Sequence, residues 1–575
     1  MLGIDRVRGE RGLAALLPSA RPRPPALLLA AGLLLAVACY LAGLDGPIVP
    51  GIGDESLYVQ IARLTAASGR WLPLRAAGGI LDTKPPLLFW TGIAATGGGR
   101  HFELWRLRLP VVGLTFATAA LVGWLAARIS RDRAAGALAA LAFLGFHSTI
   151  QHGRPFLTNA GETLFLFAPL ALALPRRRLG PGTAVAVGLS LALAALFKSF
   201  FLVLPGTVGL WAALARRDRH APDAVRRRHL PVLAGAAAIG LAGFALWPLL
   251  DPRPDLILSQ FVVGENAGKF SPGRFLGGLV SGPYPLWRIW LGDLANAGLW
   301  APPVVALGVD AWRRRRDLSD EEGALWAYVL AFLAIYSLPT QRQENYLLPT
   351  CAAVAVLLAL RWSALGDGWF RLPLALLGVA ALAVPVLLHL MDAAPGGPSH
   401  PRWVGPAAAA LGIASLVGAV RAGAGRALFP AAAVAVLGVI TGVLAPFNAR
   451  FPAAVAAPLA GRVVLAPDRF REAQELERFR LPGAELVSYR CTGTGAIACP
   501  PPPPAGAPAL AQLDVGQPAP PGWVEVAELP ALKSRHTPAQ IAAIVGGDLG
   551  LLLSRLVLLR PAAGGGPVAP PPQAP

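Results

Sequence analysis

The chain has 575 residues, 55% of them hydrophobic and only 14% charged, with 15 Trp and a mean hydropathy of +0.54. A water-soluble protein of this length cannot cover so much apolar surface with so little charge, so the composition is that of an integral membrane protein. The net charge of +19 would suggest nucleic acid in a soluble chain, but here the Arg residues fall in short clusters between apolar runs, the positive-inside pattern of a chain that threads a bilayer, which excludes nucleic acid as a partner.

In chain order, the first 24 residues carry five Arg, and residues 25–44 are apolar and long enough to span a core of about 30 Å. No small-residue cleavage site follows, so this segment reads as an uncleaved first helix with its N-terminus inside. Further apolar runs of spanning length fall at roughly 108–128, 134–151, 158–175, 182–198, 199–215, 230–250, 290–312, 324–340, 346–361, 372–391, 404–420 and 427–449. The reading is an all-α polytopic membrane protein of about 13 transmembrane helices in residues 1–449, with the C-terminus on the side opposite the N-terminus. Loops assigned to the inside hold the Arg clusters, among them Arg176 to Arg178 and Arg313 to Arg316. The few basic residues on the outside turns are Arg154, Lys198, Arg342 and Arg402.

Three outside segments are long. The first, roughly 46–107, contains short apolar stretches at 57–67 and 86–95, read as helices lying along the membrane surface. The second is roughly 251–289. From about 450 hydrophobicity drops, and strand-like runs at 462–465, 485–489 and 523–526 alternate with helix-like ones at 468–479 and 537–545, which predicts a small C-terminal α/β periplasmic domain over 450–560. A proline run at 500–504 interrupts it, and a Gly/Pro tail over 561–575 reads as disordered. Cys39 and Cys351 sit in apolar runs as core residues, whereas Cys491 and Cys499 are close enough in sequence to bridge if their segment lies outside the cytoplasm.

The polar residues of the outside loops carry the chemistry. Asp54 and Glu55 follow the first helix directly; adjacent carboxylates at a membrane edge suit a proton-accepting or cation-holding role, and equally an acidic helix start. Only four of the 51 basic residues are Lys. Lys84 precedes Pro85 and Pro86, which hold its backbone extended before a helix, an arrangement fit for an ammonium over an anion or for a snorkelling lysine. Lys198 lies between two apolar segments, and Lys269 lies in Glu265-Asn266-Ala267-Gly268-Lys269-Phe270. Arg342 and Tyr346 belong to a polar string that ends at Pro349; an Arg fork suits a phosphate, and either string also reads as ordinary loop polarity. Taken together, three Lys and an out-of-place Arg share one surface with an Asp-Glu pair, as a lipid phosphate donor and a base would require.

These residues resemble the protein O-mannosyltransferase superfamily in its bacterial branch, and within it the 4-amino-4-deoxy-L-arabinose lipid A transferase type, with a GT-C fold. The matching pieces are Asp54-Glu55-x-x-Tyr58, Lys84-Pro85-Pro86-Leu87 with Trp90, Glu103-x-x-Arg106-Leu107, Lys198, and Arg342-x-x-x-Tyr346-Leu347-Leu348-Pro349. The resemblance implies transfer of a sugar from a polyprenyl (undecaprenyl) phosphate donor to a lipid or glycan acceptor, lipid A or lipopolysaccharide-like, at the periplasmic face of the bacterial inner membrane. Asp54 would be the base, with Glu55 beside it. Lys84 would bind the donor phosphate, and Lys198, Lys269, Arg342 and Tyr346 would line the same anionic pocket, with Tyr58 among the substrate-binding residues. Two positions depart from the family pattern: Leu57 precedes Tyr58 where an Arg is frequent, and Asn159 stands five residues after Arg154 where an Asp is usual, with Glu162 three further on. Asn159 cannot act as a base at neutral pH, so either Glu162 takes that role or the second carboxylate is dispensable.

No cofactor is expected. His147, His152 and the Asp-Glu pair lack ligand spacing, so a divalent metal stays open but unsupported. The alternatives are a protein O-glycosyltransferase of the same superfamily, a hydrolase or metal-dependent oligosaccharyltransferase, and a lipid or solute transporter. The last would place ionisable groups at helix centres and repeat its fold internally, neither of which the sequence displays.

Overall fold

The computed structural model describes residues 24–562 apart from 49–53, 78–80, 83, 177, 224–226, 271–274, 276–277, 422, 468–469, 490–505 and 534–535. Cys491, Cys499, the 500–504 proline run and nearly all of the 561–575 tail therefore lie outside the described residues.

The chain is mostly helical. Long runs of Ala, Leu, Val and Gly leave no polar partner for the backbone except the backbone itself, and in an apolar surround a helix is the element that satisfies every internal N–H and C=O. In order these are α1 (Ala26–Leu41), α2 (Glu55–Ala67), α3 (Leu87–Ala95), α4 (Leu104–Ser130), α5 (Arg133–Gly145), α6 (His147–His152), α7 (Asn159–Ala173), α8 (Pro181–Phe197), α9 (Val203–Arg217), α10 (His229–Leu250), α11 (Ala301–Arg313), α12 (Asp320–Tyr336), α13 (Leu348–Arg361), α14 (Gly368–Ala393), α15 (Val404–Val420) and α16 (Ala424–Leu444). Six helical segments are long and apolar enough to cross a membrane by length and composition: 104–130, 200–217, 229–250, 344–364, 368–393 and 424–448. α1, α5, α7, α8 and α15 are shorter apolar helices. Leu249 on α10 and Val420 on α15 are 78% and 79% exposed, faces suited to lipid and costly in water.

Caps set several starts. Asp132 accepts from the Ala134 N–H at 2.8 Å to begin α5, and Ser319 with Glu322 forms a reciprocal capping box on α12, both bonds 3.1 Å. Two expected helices are broken. The run at 134–151 splits at Phe146, whose extended backbone separates α5 from α6. The run at 290–312 becomes short turns over Leu286–Trp290 and Gly292–Ala297, a left-handed Gly298 at φ +59, and then α11, whose first turn carries Pro302 and Pro303.

The first long loop holds both expected short helices, α2 and α3, joined by a two-residue ladder of β1 (Leu74–Arg75) and β2 (Leu81–Asp82). Val59, Ile61, Phe89, Leu107 and Phe156 pack these helices onto the helical body. The second loop contains a π-helical stretch, Ile257–Asn266. Its geometry is uncommon and is frequently met where a side chain must be re-aimed.

After residue 450 the chain forms a five-stranded mixed sheet in the order β4-β3-β5-β7-β6, with β3 (Val463–Pro467), β4 (Glu485–Tyr489), β5 (Ala509–Asp514), β6 (Trp523–Leu532) and β7 (Leu553–Pro561). The strand-like runs at 462–465, 485–489 and 523–526 correspond to β3, β4 and β6, while β5 and β7 were not anticipated. β7 pairs antiparallel with both β5 and β6, so it is central and buried along most of its length. Its near-continuous apolar run has no period-two alternation to signal a strand. The helix-like run at 468–479 is a 3₁₀ stretch over Phe470–Phe479, and that at 537–545 is α17 (Pro538–Val545), opened by a Thr537–Gln540 capping box. The 470–479 stretch touches the first loop: Glu475 takes the Arg63 guanidinium at 2.5 and 3.1 Å, and Phe479 stacks on Phe102.

Candidate functional site

A cavity of about 860 Å³ opens between the first loop, the second loop and the ends of α7, α8 and α12. Asp54, Tyr58 and Lys84 reach it from the first loop. Asn159 and Glu162 reach it from α7, Lys198 from the end of α8, Lys269 from the second loop, and Tyr346 from the segment before α13. Eight of the ten candidate residues therefore share one wall, although they span nearly 300 positions of sequence.

Asp54 stands immediately before α2, where its carbonyl accepts the Tyr58 N–H at 2.9 Å. What fixes that helix start is Glu55, which does not face the cavity. Arg108, fully buried on α4, grips both Glu55 carboxylate oxygens at 2.7 and 2.8 Å and donates to the carbonyls of Leu44 and Gly46 at 2.8 and 2.7 Å. The Phe156 N–H adds a bond to Glu55 at 2.6 Å. Every donor of the guanidinium side that meets Glu55 is thus spent on structure, and Glu55 is a clamp between the first loop and α4 instead of a second reacting carboxylate.

Arg342 does not line the cavity either. It is fully buried, donates to the carbonyls of Ser337, Gly278 and Tyr284 at 3.0 to 3.2 Å, and lies 4.8 Å over the Phe275 ring. Two nitrogens of the planar fork that made it attractive for phosphate staple two loops together, and the third is buried with no hydrogen-bond partner. Arg154 is a similar tie, donating to the carbonyls of Tyr40 and Ala42.

The cations that do reach the cavity come mostly in pairs. Lys84 bonds Glu265 at 2.5 Å, Lys198 bonds Glu162 at 2.5 Å, and Arg288 holds Glu344 through two bonds of 2.6 and 3.0 Å. Lys198 also sits 5.0 Å over the Tyr346 ring. Lys269 is in none of the ion pairs among the described residues; burial pushes its ammonium below the usual lysine range, Glu265 opposes the shift, and Lys198 and Lys84 add to it. Its backbone carbonyl accepts from the Thr340 N–H and hydroxyl at 2.8 and 2.9 Å, which joins the second loop to the segment before α13. The π-helical stretch is pinned by Asn266, whose amide donates to the Phe261 carbonyl at 2.8 Å and whose oxygen accepts from Ser199 at 2.7 Å.

Sequence reasoning did not single out Glu265, Arg288, Tyr336, Glu344 or Asn345, all on the cavity wall. Glu265, Glu344 and Asn345 lie inside the polar strings that drew attention, so a search for charge partners within those strings would have found them. Arg288 and Tyr336 sit among apolar and aromatic neighbours and give no local signal. No group of three or more His, Cys, Asp or Glu among the described residues could hold a metal ion. With one carboxylate at a helix start, several ammonium groups and buried amides, the cavity can accept a phosphate-bearing polar molecule and take a proton from it.

Known proteins resemble the chain in sequence and in fold. The family model "Dolichyl-phosphate-mannose-protein mannosyltransferase" matches residues 53–230, which include Asp54, Lys84, Glu162 and Lys198. A curated relative, undecaprenyl phosphate-alpha-4-amino-4-deoxy-L-arabinose arabinosyl transferase 1 of Sodalis glossinidius, is 29% identical over 342 residues, 56% of each chain. The enzyme of the same description from Enterobacter sp. is 23% identical over 321 residues, 53% of this chain and 54% of its own. The chain thus spans just over half the length of the curated relatives it matches. Among solved structures, ArnT from Cupriavidus metallidurans bound to undecaprenyl phosphate superposes with a TM-score of 0.58 at 17% identity, covering 94% of this chain and 99% of the other. Its apo form gives 0.54 at 16% identity, covering 97% and 100%. The fold is shared along nearly the whole length, and the superfamily indicated by the residue motifs is the one these matches return.

Proposed function

We propose that the chain is a multi-pass member of the protein O-mannosyltransferase and aminoarabinose lipid A transferase superfamily, and that it is a glycosyltransferase moving a sugar from undecaprenyl phosphate to a lipid or glycan acceptor at the periplasmic face of the inner membrane. The observation that carries this reading is that one cavity is lined by Asp54, Lys84, Lys198, Lys269 and Tyr346 together.

In this mechanism Lys84 and Lys269 hold the donor phosphate, whose negative charge grows as the bond from the sugar carbon to the phosphate oxygen breaks. The acceptor hydroxyl oxygen forms the new bond to that carbon, and its proton passes to the Asp54 carboxylate. The free carrier phosphate leaves in the groove between apolar helices. On the thirteen-span reading the C-terminal sheet lies on the periplasmic side, and Glu475 and Phe479 brace the first loop through Arg63 and Phe102.

The test incubates purified protein in nanodiscs with undecaprenyl phosphate-linked sugars and a lipid acceptor and follows release of the lipid phosphate. Asp54→Asn is expected to lower kcat by about 10²- to 10⁴-fold with little change in carrier binding, and Lys84→Ala to raise the donor KM. Wild-type transfer by both variants, or solute movement across sealed vesicles with no transfer, overturns the reading.

A further inference from the structure

One part of the cavity wall is polar, buried and unsatisfied. Glu162 is fully buried, and while one carboxylate oxygen takes the Lys198 ammonium, the other has no hydrogen-bond partner. The Asn159 amide nitrogen, on a residue 6% exposed, the Tyr336 hydroxyl, on a residue 4% exposed, and the buried Asn345 side-chain oxygen are in the same condition, and all four residues line the one cavity. They form a cluster. Asn159 and Glu162 are three residues apart on one face of α7, Tyr336 packs its ring on Tyr346 at 5.6 Å, and Tyr346 lies under Lys198. A buried polar atom left unpaired is costly, and four on the wall of one cavity mark a surface shaped for a ligand that supplies the missing bonds.

The chemistry of the four atoms narrows that ligand. The Glu162 and Asn345 oxygens accept, the Asn159 nitrogen donates, and the Tyr336 hydroxyl does either. A sugar hydroxyl donates one bond and accepts others, so a neutral polyol meets the whole set. An ammonium only donates, leaving the Asn159 nitrogen unmatched, and it would meet a carboxylate whose charge Lys198 already neutralises at 2.5 Å. Resting on the glycosyltransferase reading above, we propose that Glu162, Asn159, Tyr336 and Asn345 form the glycosyl subsite of the donor and select a neutral, hydroxyl-rich sugar over an amino sugar. The Glu162–Lys198 pair acts there as a positioning element, with its free oxygen toward the sugar.

The test is equilibrium binding of three ligands to the full-length protein in nanodiscs: bare undecaprenyl phosphate, undecaprenyl phosphate glucose, and undecaprenyl phosphate 4-amino-4-deoxy-L-arabinose. The glucosyl carrier is expected to bind at least tenfold more tightly than the bare carrier, and the amino sugar carrier within about threefold of the bare carrier. Tyr336→Phe and Asn159→Ala are expected to erase most of the glucosyl advantage while leaving bare-carrier affinity unchanged, a split that general misfolding would not give. A glucosyl carrier bound no better than the bare one, or an amino sugar carrier bound as tightly as the glucosyl one or more so, overturns the subsite. Tight glucosyl binding that depends on Tyr336 and Asn159, with no transfer to any acceptor, upholds the subsite and overturns the transferase reading instead.

Discussion

Lys84, the lysine that precedes two prolines, bonds Glu265 of the π-helical stretch at 2.5 Å, so an ion pair joins the first and second loops at the cavity. Both side chains are partly open to solvent, 26% and 42% exposed, and such a pair is worth about 0.2–1 kcal/mol. A lipid phosphate arriving at Lys84 must compete with that carboxylate. Glu265→Gln is therefore expected to tighten binding of undecaprenyl phosphate about two- to fivefold, read by equilibrium titration. A loss of affinity would mean that Glu265 orients Lys84 instead of competing for it.

The Glu55–Arg108 clamp makes a different prediction. Removing one partner of a buried, multiply bonded pair costs about 3–5 kcal/mol because the other charge stays buried. Glu55→Gln and Arg108→Leu are each expected to lower the unfolding midpoint of the detergent-solubilised protein, whereas the double replacement Glu55→Leu with Arg108→Leu recovers part of the loss. Activity would not return with stability in the double variant, since Asp54 has lost the clamp that sets the start of α2. Full activity in that variant would show that Asp54 is positioned some other way.

The Lys269 shift has a sign that can be read. Burial disfavours its charged form, so the ammonium loses its proton at a lower pH than a free lysine, and affinity for an anionic carrier falls as pH rises through that depressed value. Arg stays charged well above this range. Lys269→Arg is expected to bind undecaprenyl phosphate as well as wild type at pH 7 and to keep its affinity further into the alkaline range; coincident pH profiles for the two proteins would remove Lys269 from the phosphate site.

Gly161, between Asn159 and Glu162, is a close-approach position. A Cβ there would lie 2.5–2.7 Å from three atoms of the Phe197 ring. Phe197 is 2% exposed and packed against Phe165, so it cannot yield, and overpacking of about 1–3 kcal/mol outweighs the better helix propensity of Ala. Lys198 follows Phe197 directly. Gly161→Ala is expected to lower kcat/KM about tenfold by displacing Lys198 from Glu162, with a milder change in the unfolding midpoint. Unchanged kinetics would mean that the α7–α8 contact tolerates the shift.

Much of the architecture was legible because a bilayer leaves the sequence little freedom. Apolar runs must become helices, and each expected run overlaps one in the structure, six of them falling on segments long and apolar enough to cross a membrane among the described residues. The breaks at Phe146 and Gly298 were not legible, since both interrupt runs whose hydropathy is continuous and only neighbouring elements decide where the chain turns. β7 was invisible for a related reason: a strand buried on both faces reads like a helix segment.

The sequence by itself determined that the chain lives in a membrane and which residue types gather on the loops between its helices, because desolvation makes each charge at membrane depth an exception. Only the tertiary structure decided what each charge does. Glu55 and Asp54 are adjacent in sequence, yet one is spent on Arg108 and the other opens into the cavity. Arg342 and Lys269 are both basic loop residues, yet one is stapled to three carbonyls and the other faces the cavity. A buried charge must find partners wherever the fold supplies them, and those partners lie tens to hundreds of residues away, so no local pattern can tell a clamp from a site.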